Sequence, residues 1–377
     1  PPTMHYFISA GEASGDLHAS QLMQSLRVAD PEAQFTFLGG DMMAEVAGHA
    51  PVIHYNRMAY MGFVEVVKHL KAVMRNLSTA RQALRQAKPD RLVLVDYPSF
   101  NLKLAREAAE MGIPVYWYIS PKVWAWKEGR VKQFKKLGIR ILSILPFEPK
   151  YFRERHDYEA IYVGNPSLTE IDERRKTIIG REELLERAGA PADSKLLLLV
   201  PGSRKAEIRN NLPIMESVAK RHPEFRAVVA AAPGIGDDFY NGLSSLPRLS
   251  GVTFGLMAGA EAALVTSGTA TLEAALLGTP QVVCYRANGS RLTYNLFKRL
   301  LKVKFVSLPN LITDREIIPE MLLHQCTPEA VDARLTPLLA DTPERQEQLH
   351  GYAEMRARLN PELNAPERAA RIIIDRV

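Results

Sequence analysis

The sequence predicts an α/β protein that is built from two doubly wound domains. Short apolar runs alternate with amphipathic helical patterns along the first half of the 377 residues, and the same alternation starts again in the second half. Gly164-Asn165-Pro166 breaks the pattern between the halves, and a charged stretch follows at residues 172–176. The length also suits two domains better than one or four.

The predicted strands are short buried runs of the kind that parallel sheets contain. In the first half they are Tyr6–Ala10, Phe35–Leu38, Leu92–Val95, Val115–Ile119, Ile141–Ile144 and Ile161–Val163, with helices at Asp16–Val28, Thr79–Ala87 and Leu102–Met111. In the second half the strands are Lys195–Val200, Ala227–Ala231, Ala262–Val265 and Gln281–Tyr285, with helices at Glu207–Arg221, Ala270–Leu277 and Arg291–Leu301. The last fifty residues look helical.

One connection does not fit this alternation. Only Gly255–Gly259 separates an apolar run at Val252–Phe254 from the segment that begins at Ala260. A full crossover helix needs more residues than that. The sequence therefore predicts either an antiparallel pair of strands here or a loss of residues.

Composition and charge narrow the class of protein. Apolar residues make up 46% of the chain and charged residues 24%, as in globular proteins with sizeable cores. The two cysteines, Cys284 and Cys326, favour a reducing compartment such as the cytoplasm. No apolar run reaches the roughly 20 residues of a membrane span. The net charge of +6 suits an anionic substrate or an acidic membrane, but no nucleic-acid motif occurs, so no nucleic-acid partner is predicted.

Residues 262–277 predict a pocket for a nucleotide diphosphate. A buried strand ends there, a turn of Ser267, Gly268 and Thr269 follows, and a helical pattern begins. Gly268 lets the backbone approach a ligand, and the free N–H groups of the first helical turn form an anion site. Glu273 follows where a carboxylate could accept two ribose hydroxyls. The alternative is an ordinary strand–turn–helix corner in which Thr269 is a cap.

The turn after the first strand is a second candidate site. Its sequence, from Gly11 to Asp16, lacks the glycine spacing of the dinucleotide fingerprint. Glu12, Ser14, Gly15 and Asp16 could still approach a phosphate or a sugar. The alternative is a tight turn with Asp16 as a helix cap.

Asp96 ends the buried run at residues 92–96. The carboxyl end of a central strand faces the ligand side of an open sheet, so Asp96 is a candidate general base. Partial burial there would raise its pKa. The alternative is an aspartate that caps the next turn or helix.

Arg204 follows the first strand of the second half, in Pro201-Gly-Ser-Arg204. Its guanidinium could bind a phosphate bidentately with Glu207 orienting it, unless it is a surface arginine in a turn. The chain contains no Asp-x-Asp and no His/Cys cluster with metal spacing, so we expect neither a metal site nor a cofactor. Arg204 and the helix terminus at Thr269 would then neutralise a leaving diphosphate.

Two tryptophans, Trp124 and Trp126, lie in the loop after the strand that ends near Ile119. They could form a sugar platform or part of an apolar funnel. Packing in the core is the more frequent use of tryptophan and is the alternative.

The stretch from Met61 to Leu77 is amphipathic. Lys68, Lys71 and Arg75 lie opposite an apolar face. A core helix is the default interpretation, but basic flanks also suit a helix that lies on an anionic membrane. The apolar face consists of Phe63, Val66, Val67, Leu70, Val73, Met74 and Leu77.

These motifs together resemble the lipid-A-disaccharide synthase family of glycosyltransferases. The matching segments run in family order over residues 6 to about 312. They are Gly11–Asp16, Met61-Gly62 with the helix after it, Val95–Asn101, Ser120–Trp126, Leu145–Glu148, Pro201–Arg204, Ser267–Ala270 with Glu273, and Val306–Asn310.

The resemblance implies a GT-B fold, in which two Rossmann-like domains face each other across a cleft and the C-terminal helices cross back. It also implies an inverting transfer that needs no metal. The donor would be UDP-2,3-diacylglucosamine and the acceptor 2,3-diacylglucosamine 1-phosphate (lipid X). The products would be a β-1′,6-linked disaccharide 1-phosphate, which is the lipid A precursor, and UDP. The protein would be cytoplasmic and peripheral on the cytoplasmic face of the inner membrane of a Gram-negative bacterium. Both a monomer and a homodimer are compatible with the resemblance.

The resemblance also distributes roles along the chain. Residues 1–168 would face the acceptor and the membrane, residues 169–355 would bind the UDP-sugar, and residues 356–377 would pack back on the first domain. Asp96 would take the proton from the acceptor, with Asp16 or Glu12 as the alternative base. Asn101 would belong to the acceptor loop and Asn310 to the UDP site.

Two alternatives to this function stay open at the level of sequence. A UDP-sugar epimerase on the same fold would share the diphosphate pocket but needs no lipid-facing helix. A nucleotide-binding module without chemistry would not need Asp96. One departure from the family pattern is Asn165, which stands where a histidine is frequent and cannot take a proton as histidine does.

Overall fold

The computed structural model describes residues 3–58, 67–122, 128–266, 268–287 and 304–375. The chain divides into two compact units. Unit 1 consists of Pro1–Pro166 with Pro361–Val377, and unit 2 of Ser167–Asn360. Each unit contains one parallel sheet with helices around it, which confirms the predicted α/β class.

The sheet of unit 1 has seven parallel strands in the order β3-β2-β1-β4-β5-β6-β7. The chain order reverses between β1 and β4, and ligands bind beside the carboxyl ends of the strands at such a switch point. Ala10 pairs with Val95 at the end of these two strands, so the turns after them leave the sheet side by side. The strands are β1 (His5–Ala10), β2 (Gln34–Gly39), β3 (Ile53–His54), β4 (Arg91–Val95), β5 (Val115–Tyr118), β6 (Arg140–Ser143) and β7 (Ala160–Tyr162).

Helices cover both faces of this sheet, because side chains that alternate along each strand are apolar on both sides. Ile8 and Val95 pack on one face, whereas Phe7 and Leu94 pack on the other. The described helices up to the end of β7 are α1 (Ala13–Ala29), α2 (Asp41–Ala47), α3 (Leu70–Ala87), α4 (Pro98–Glu110), α5 (Arg130–Leu137) and α6 (Glu148–His156).

The sheet of unit 2 has six parallel strands in the order β10-β9-β8-β11-β12-β13, and its switch point lies between β8 and β11. The strands are β8 (Lys195–Val200), β9 (Phe225–Ala231), β10 (Arg248–Ser250), β11 (Ala260–Val265), β12 (Gln281–Tyr285) and β13 (Glu320–Leu322). The described helices are α7 (Pro166–Arg174), α8 (Arg181–Arg187), α9 (Lys205–Ala219), α10 (Asp237–Asn241), α11 (Thr253–Gly259), α12 (Thr269–Leu276), α13 (Leu308–Thr313), α14 (Pro328–Leu335) and α15 (Pro343–Leu359).

The short connection before β11 contains a short helix, and the expectation of an antiparallel pair of strands was wrong. Residues 253–259 form α11 instead of ending a strand, and β10 and β11 are both parallel to their neighbours. Seven residues suffice because the helix packs closely: a Cβ on Gly255 would lie 2.6 Å from Cγ2 of Ile179.

The predicted amphipathic helix at Met61–Leu77 also differs from the structure. The turn at His69 interrupts it, and α3 then runs without a break to Ala87, so that it includes the separately predicted helix at Thr79–Ala87. Residues 59–66 and the predicted helix at Arg291–Leu301 lie outside the described residues.

The last helix, α16 (Ala365–Asp375), belongs to unit 1 of the same chain. Ala369 and Ile373 are fully buried in the core that α1 also lines. Arg91 Nε donates a hydrogen bond of 2.9 Å to the carbonyl of Ile373. Within the described ranges, no helix combines the length and the apolar character that crossing a membrane requires.

Candidate active site

The turns after β1 and β4 contact each other through Tyr97 and Gly11. A Cβ on Gly11 would lie 2.5 Å from the Tyr97 ring, so that only glycine fits beneath it. The Tyr97 hydroxyl donates a hydrogen bond of 2.7 Å to the carbonyl of Met58. Burial and the nearby Glu12 carboxylate both raise the pKa of Tyr97. The two turns therefore form one packed surface at the switch point of unit 1.

Asp96 lies in a strained turn. Its φ is +47° and that of Tyr97 is +51°, so two consecutive residues that are not glycine adopt the left-handed conformation. Such conformations cost about 1–3 kcal/mol each and persist where surrounding structure imposes them. Asn101 supplies part of that structure: its amide donates to the Asp96 carbonyl at 2.7 Å and its oxygen accepts from the Ser9 hydroxyl at 2.6 Å.

The charge of Asp96 is set by burial and by a lysine. The residue is half-buried, and burial raises the pKa of its carboxyl, whereas Lys122 opposes that rise. Much of the Lys122 residue is accessible to solvent. Protein nevertheless surrounds its ammonium group, and this desolvation lowers the pKa of Lys122. Asp96 and the buried Glu148 raise the pKa of Lys122 in turn, and Glu148 accepts a hydrogen bond of 2.9 Å from Ser143.

Lys122 and Glu148 were not singled out as site residues from the sequence. Both lie in segments that carry the family resemblance, so the signal was present in Ser120–Trp126 and Leu145–Glu148. The electrostatic contacts of Lys122 with Asp96 and Glu148 depend on the spatial order β4-β5-β6, which brings three strand ends to one edge of the sheet.

Asp16 caps a helix, as the alternative interpretation of this turn expected, but not the helix that contains it. Its carboxylate accepts hydrogen bonds from the backbone N–H groups of Gly40, Met42 and Met43 at 2.8, 3.1 and 3.1 Å. It therefore caps α2 and not its own helix, α1, which has no side-chain cap. Both carboxylate oxygens are engaged, and we do not retain Asp16 as a base.

The other residues of this turn surround the start of α1. Glu12 is the residue before the first helical turn and is half-buried. Ser14 is exposed, and Gly15 is buried against β1, where an added Cβ would lie 3.2 Å from Cβ of Ala10. Glu12 and Ser14 are therefore accessible to solvent, whereas Gly15 allows close packing.

In unit 2, the loop after β8 is shaped by Gly202 and Glu207. Gly202 has a φ of +124°, and a Cβ there would lie 2.7 Å from Cβ of Glu207. The Glu207 carboxylate accepts hydrogen bonds from the backbone N–H groups of Arg204 and Ser203. Burial raises the pKa of Glu207 and Arg204 lowers it. The Glu207 carboxylate thus binds the backbone at the start of α9, where Arg204 is exposed.

The turn before α12 leaves the N-terminus of that helix without a side-chain cap from Gly268. Gly268 has a φ of +141°, which favours glycine, and its carbonyl accepts a hydrogen bond of 2.8 Å from the Thr271 hydroxyl. The Thr269 hydroxyl is hydrogen-bonded to Glu273. Ser267 lies outside the described residues.

Glu273 lies in a group of charges that the sequence did not reveal. Burial, followed by the nearby Glu170 carboxylate, raises the pKa of Glu273 to about 7. Arg174 pairs with Glu170 at 3.3 Å and lies 5.1 Å above the ring centre of Phe254. Glu170 and Arg174 come from α7, far from Glu273 in sequence, and no local motif identifies them.

The buried side chain of Asn310 is hydrogen-bonded within unit 2, and its place in the UDP site stays a prediction. The buried amide donates to the Ile318 carbonyl at 2.9 Å and to Glu320 at 2.7 Å. It accepts from the N–H groups of Ile317 and Ile318 at 2.7 and 3.0 Å. All its hydrogen-bonding positions serve the chain between α13 and β13. Trp124 and Trp126 lie outside the described residues.

An exposed apolar patch lies at the start of α3. It consists of Val67, Leu70 and Met74, whose exposed fractions are 57%, 52% and 63%. Val73 is partly buried beside it, and Leu77 is buried with 8% exposure. The core interpretation therefore fits Leu77 but not the patch. Phe63 and Val66 lie outside the described residues.

Comparison with known proteins decides the family. A sequence model described as lipid-A-disaccharide synthetase matches residues 6–374. The lipid-A-disaccharide synthase of Myxococcus xanthus is 38% identical over 100% of this chain and 97% of its own length. That of Pseudomonas aeruginosa strain LESB58 is 36% identical over 88% of each chain.

The chain belongs to the lipid-A-disaccharide synthase family. Membership confirms the interpretation as a glycosyltransferase of lipid A biosynthesis and favours it over an epimerase or a binding module. Solved structures agree on the fold alone. The calicheamicin glycosyltransferase CalG4 has a TM-score of 0.61 at 16% identity over 100% of this chain and 98% of its own. A UDP-GlcNAc 2-epimerase from Neisseria meningitidis, bound to UDP-GlcNAc, has a TM-score of 0.62 at 15% identity over 99% of both chains.

Proposed function

We propose that this member of the family transfers diacylglucosamine from UDP-2,3-diacylglucosamine to the 6-hydroxyl of lipid X. The products are the β-1′,6-linked disaccharide 1-phosphate and UDP. Unit 1 binds the acceptor and unit 2 binds the donor nucleotide. The proposal rests on the position of Asp96, which is half-buried in a strained turn at the switch point of unit 1.

Asp96 acts as the general base in this proposal. It takes the proton from the acceptor 6-hydroxyl while that oxygen forms a bond to the donor anomeric carbon. The bond between the anomeric carbon and the diphosphate oxygen breaks at the same time, and UDP leaves from the opposite face with inversion. Burial raises the pKa of Asp96, so that it is a better base than an exposed aspartate, and the charge of Lys122 lowers that pKa in part.

Unit 2 stabilises the leaving UDP. Arg204 and the start of α12 at Gly268 and Thr269 neutralise the diphosphate, with Ser267 in the same turn. The Glu273 carboxylate accepts hydrogen bonds from the ribose hydroxyls. Glu207 supports this arrangement because its carboxylate fixes the backbone that carries Arg204.

The protein attaches to the cytoplasmic face of the inner membrane through the exposed apolar patch. Both substrates carry acyl chains, so the acceptor must reach the protein from a lipid surface. Lys68 and Lys71 are exposed close to the patch in sequence, as is Arg75, and cations of this kind favour anionic headgroups.

A reaction with defined substrates tests the function. Purified protein with UDP-2,3-diacylglucosamine and lipid X in detergent should give a product with the mass of the disaccharide 1-phosphate, together with UDP. Conversion of the UDP-sugar without the acceptor would instead support an epimerase, and UDP binding without turnover would support a binding module.

A calorimetric titration tests the donor site separately. Arg204→Gln should weaken UDP binding by about 1.5–3 kcal/mol, the range for hydrogen bonds to charged groups. Arg209→Gln is the matched control, because Arg209 lies further along α9 and contacts the Phe239 ring. Equal affinities of the two variants for UDP would contradict the role of Arg204.

A further inference from the structure

Arg130 is a cation in an unfavourable place. It is the first residue of α5 and is half-buried, and burial lowers the pKa of its guanidinium. Its NH2 group donates a hydrogen bond of 3.1 Å to the Ser99 hydroxyl. Among the residues that the structure describes, no carboxylate forms an ion pair with it.

Both the position and the burial of this charge oppose stability. The start of a helix carries a partial positive charge, which repels a cation, and a partly buried charge without a counter-ion is costly. Lys135 and Lys136 of the same helix lie in its last turn, where the dipole favours them. A local violation of this kind is typical of a functional site.

Joining α4 to α5 does not require this arrangement. Arg106 of α4 already links the two helices through a hydrogen bond of 2.7 Å to Gln133, and its side chain is exposed. Arg130 therefore differs from Arg106 in burial and in its place at the carboxyl edge of the sheet, not in the kind of contact that it makes.

The surroundings of Arg130 favour an anion close to Asp96. Ser99 is the second residue of α4 and stands three residues after Asp96, a stretch of chain that spans at most about 10 Å. The start of α4 carries the partial positive charge of a helix N-terminus, which attracts anions, just as the same charge at the start of α5 repels Arg130. The guanidinium thus lies within reach of a small anionic group on a molecule that also contacts Asp96.

We propose that Arg130, with the Ser99 hydroxyl, binds the 1-phosphate of the acceptor sugar. This proposal rests on the proposed function, in which Asp96 contacts the acceptor 6-hydroxyl. Carbons 1 and 5 of a hexose flank the ring oxygen, and the 6-hydroxyl is on the carbon attached to carbon 5, so the phosphate and the reacting oxygen lie on the same side of the sugar ring. Binding of the phosphate therefore helps to orient the nearby 6-hydroxyl toward Asp96. A guanidinium also matches the geometry of a phosphate better than an ammonium does.

Steady-state kinetics with two acceptors tests this assignment. The acceptors are lipid X and the same 2,3-diacylglucosamine without its phosphate, both in detergent micelles. Arg130→Gln should lower kcat/KM for lipid X on the order of 10- to 100-fold, as the loss of a charged hydrogen bond predicts. It should leave kcat/KM for the dephosphorylated acceptor and KM for the donor unchanged. Arg130→Lys should recover part of the loss, and Arg106→Gln should change neither acceptor.

Thermal unfolding of the same variants excludes a merely structural effect. Because Arg130 opposes the helix dipole, Arg130→Gln should melt at or above the wild-type temperature. An equal loss with both acceptors, or a lowered melting temperature that explains the loss, would overturn the proposal. Unchanged kinetics in micelles with weaker binding to anionic vesicles would also overturn it, since Arg130 would then bind membrane headgroups. Absence of product from the wild type with lipid X would instead refute the proposed function.

Discussion

Replacing Val67, Leu70 and Met74 with serine should release the protein from membranes without unfolding it. Full burial of such a side chain stabilises a protein by about 1.5–3 kcal/mol. Each of the three is already more than half exposed, so each replacement should reduce the free energy of unfolding by less than about 1.5 kcal/mol. Leu77→Ser is the matched control, because Leu77 is 8% exposed on the same helix and its truncation should cost about 2–5 kcal/mol.

The assay combines a thermal melt with sedimentation on vesicles that contain anionic lipid. The triple variant should keep most of the wild-type melting temperature and remain in the supernatant, whereas wild type should sediment. Neutral vesicles should bind wild type less well, because each basic residue near an anionic surface contributes about 1 kcal/mol. A triple variant that unfolds as readily as Leu77→Ser would place the patch in the core, and one that still sediments would refute it as the membrane contact.

Three further predictions concern the two sites. Affinity for UDP should fall as the pH drops below about 7, because protonation of Glu273 removes a hydrogen-bond acceptor for the ribose hydroxyls. Glu170→Gln should shift this transition to lower pH, because it removes a neighbouring negative charge. UDP titrations across pH check both, and a transition that Glu170→Gln does not move would contradict the effect of Glu170 on Glu273. Asp16→Ala should lower the free energy of unfolding by about 1–3 kcal/mol in urea while UDP affinity stays the same, and an unchanged urea midpoint would refute the capping role. Gly11→Ala should displace the Tyr97 ring and reduce kcat with little effect on UDP binding, and wild-type kcat would show that the packing of the two turns does not matter.

The central strands of both sheets could be predicted because each is a continuous apolar run with a turn signal at its end. Lys195–Val200 and Gln281–Tyr285 have the predicted bounds. The edge strands β3, β10 and β13 could not be predicted, since each contains only two or three residues and includes polar ones, so that no apolar run marks it. The edge strand β7 is equally short, but it overlaps the apolar run Ile161–Val163 and was predicted.

The candidate site divides in the same way. The position of Asp96 beside the switch point could be predicted because it follows from the end of a single strand. The hydrogen bonds of Asp16 and Asn310 could not be predicted because their partners lie at α2 and in the segment before β13. Lys122 was missed because its charge partners come from separate strands, and that pairing is decided by sheet order rather than by local sequence.

Asp96→Asn shows whether Asp96 removes the proton from the acceptor. The single-turnover rate with both lipid substrates should fall by about 10²–10⁴-fold, the usual contribution of a general base. The affinity for UDP should stay at the wild-type value, because Asp96 belongs to unit 1 and the residues proposed to bind UDP belong to unit 2. A single-turnover rate close to that of wild type, or a loss of UDP affinity as large as the loss of rate, would show that Asp96 is not the general base of this reaction.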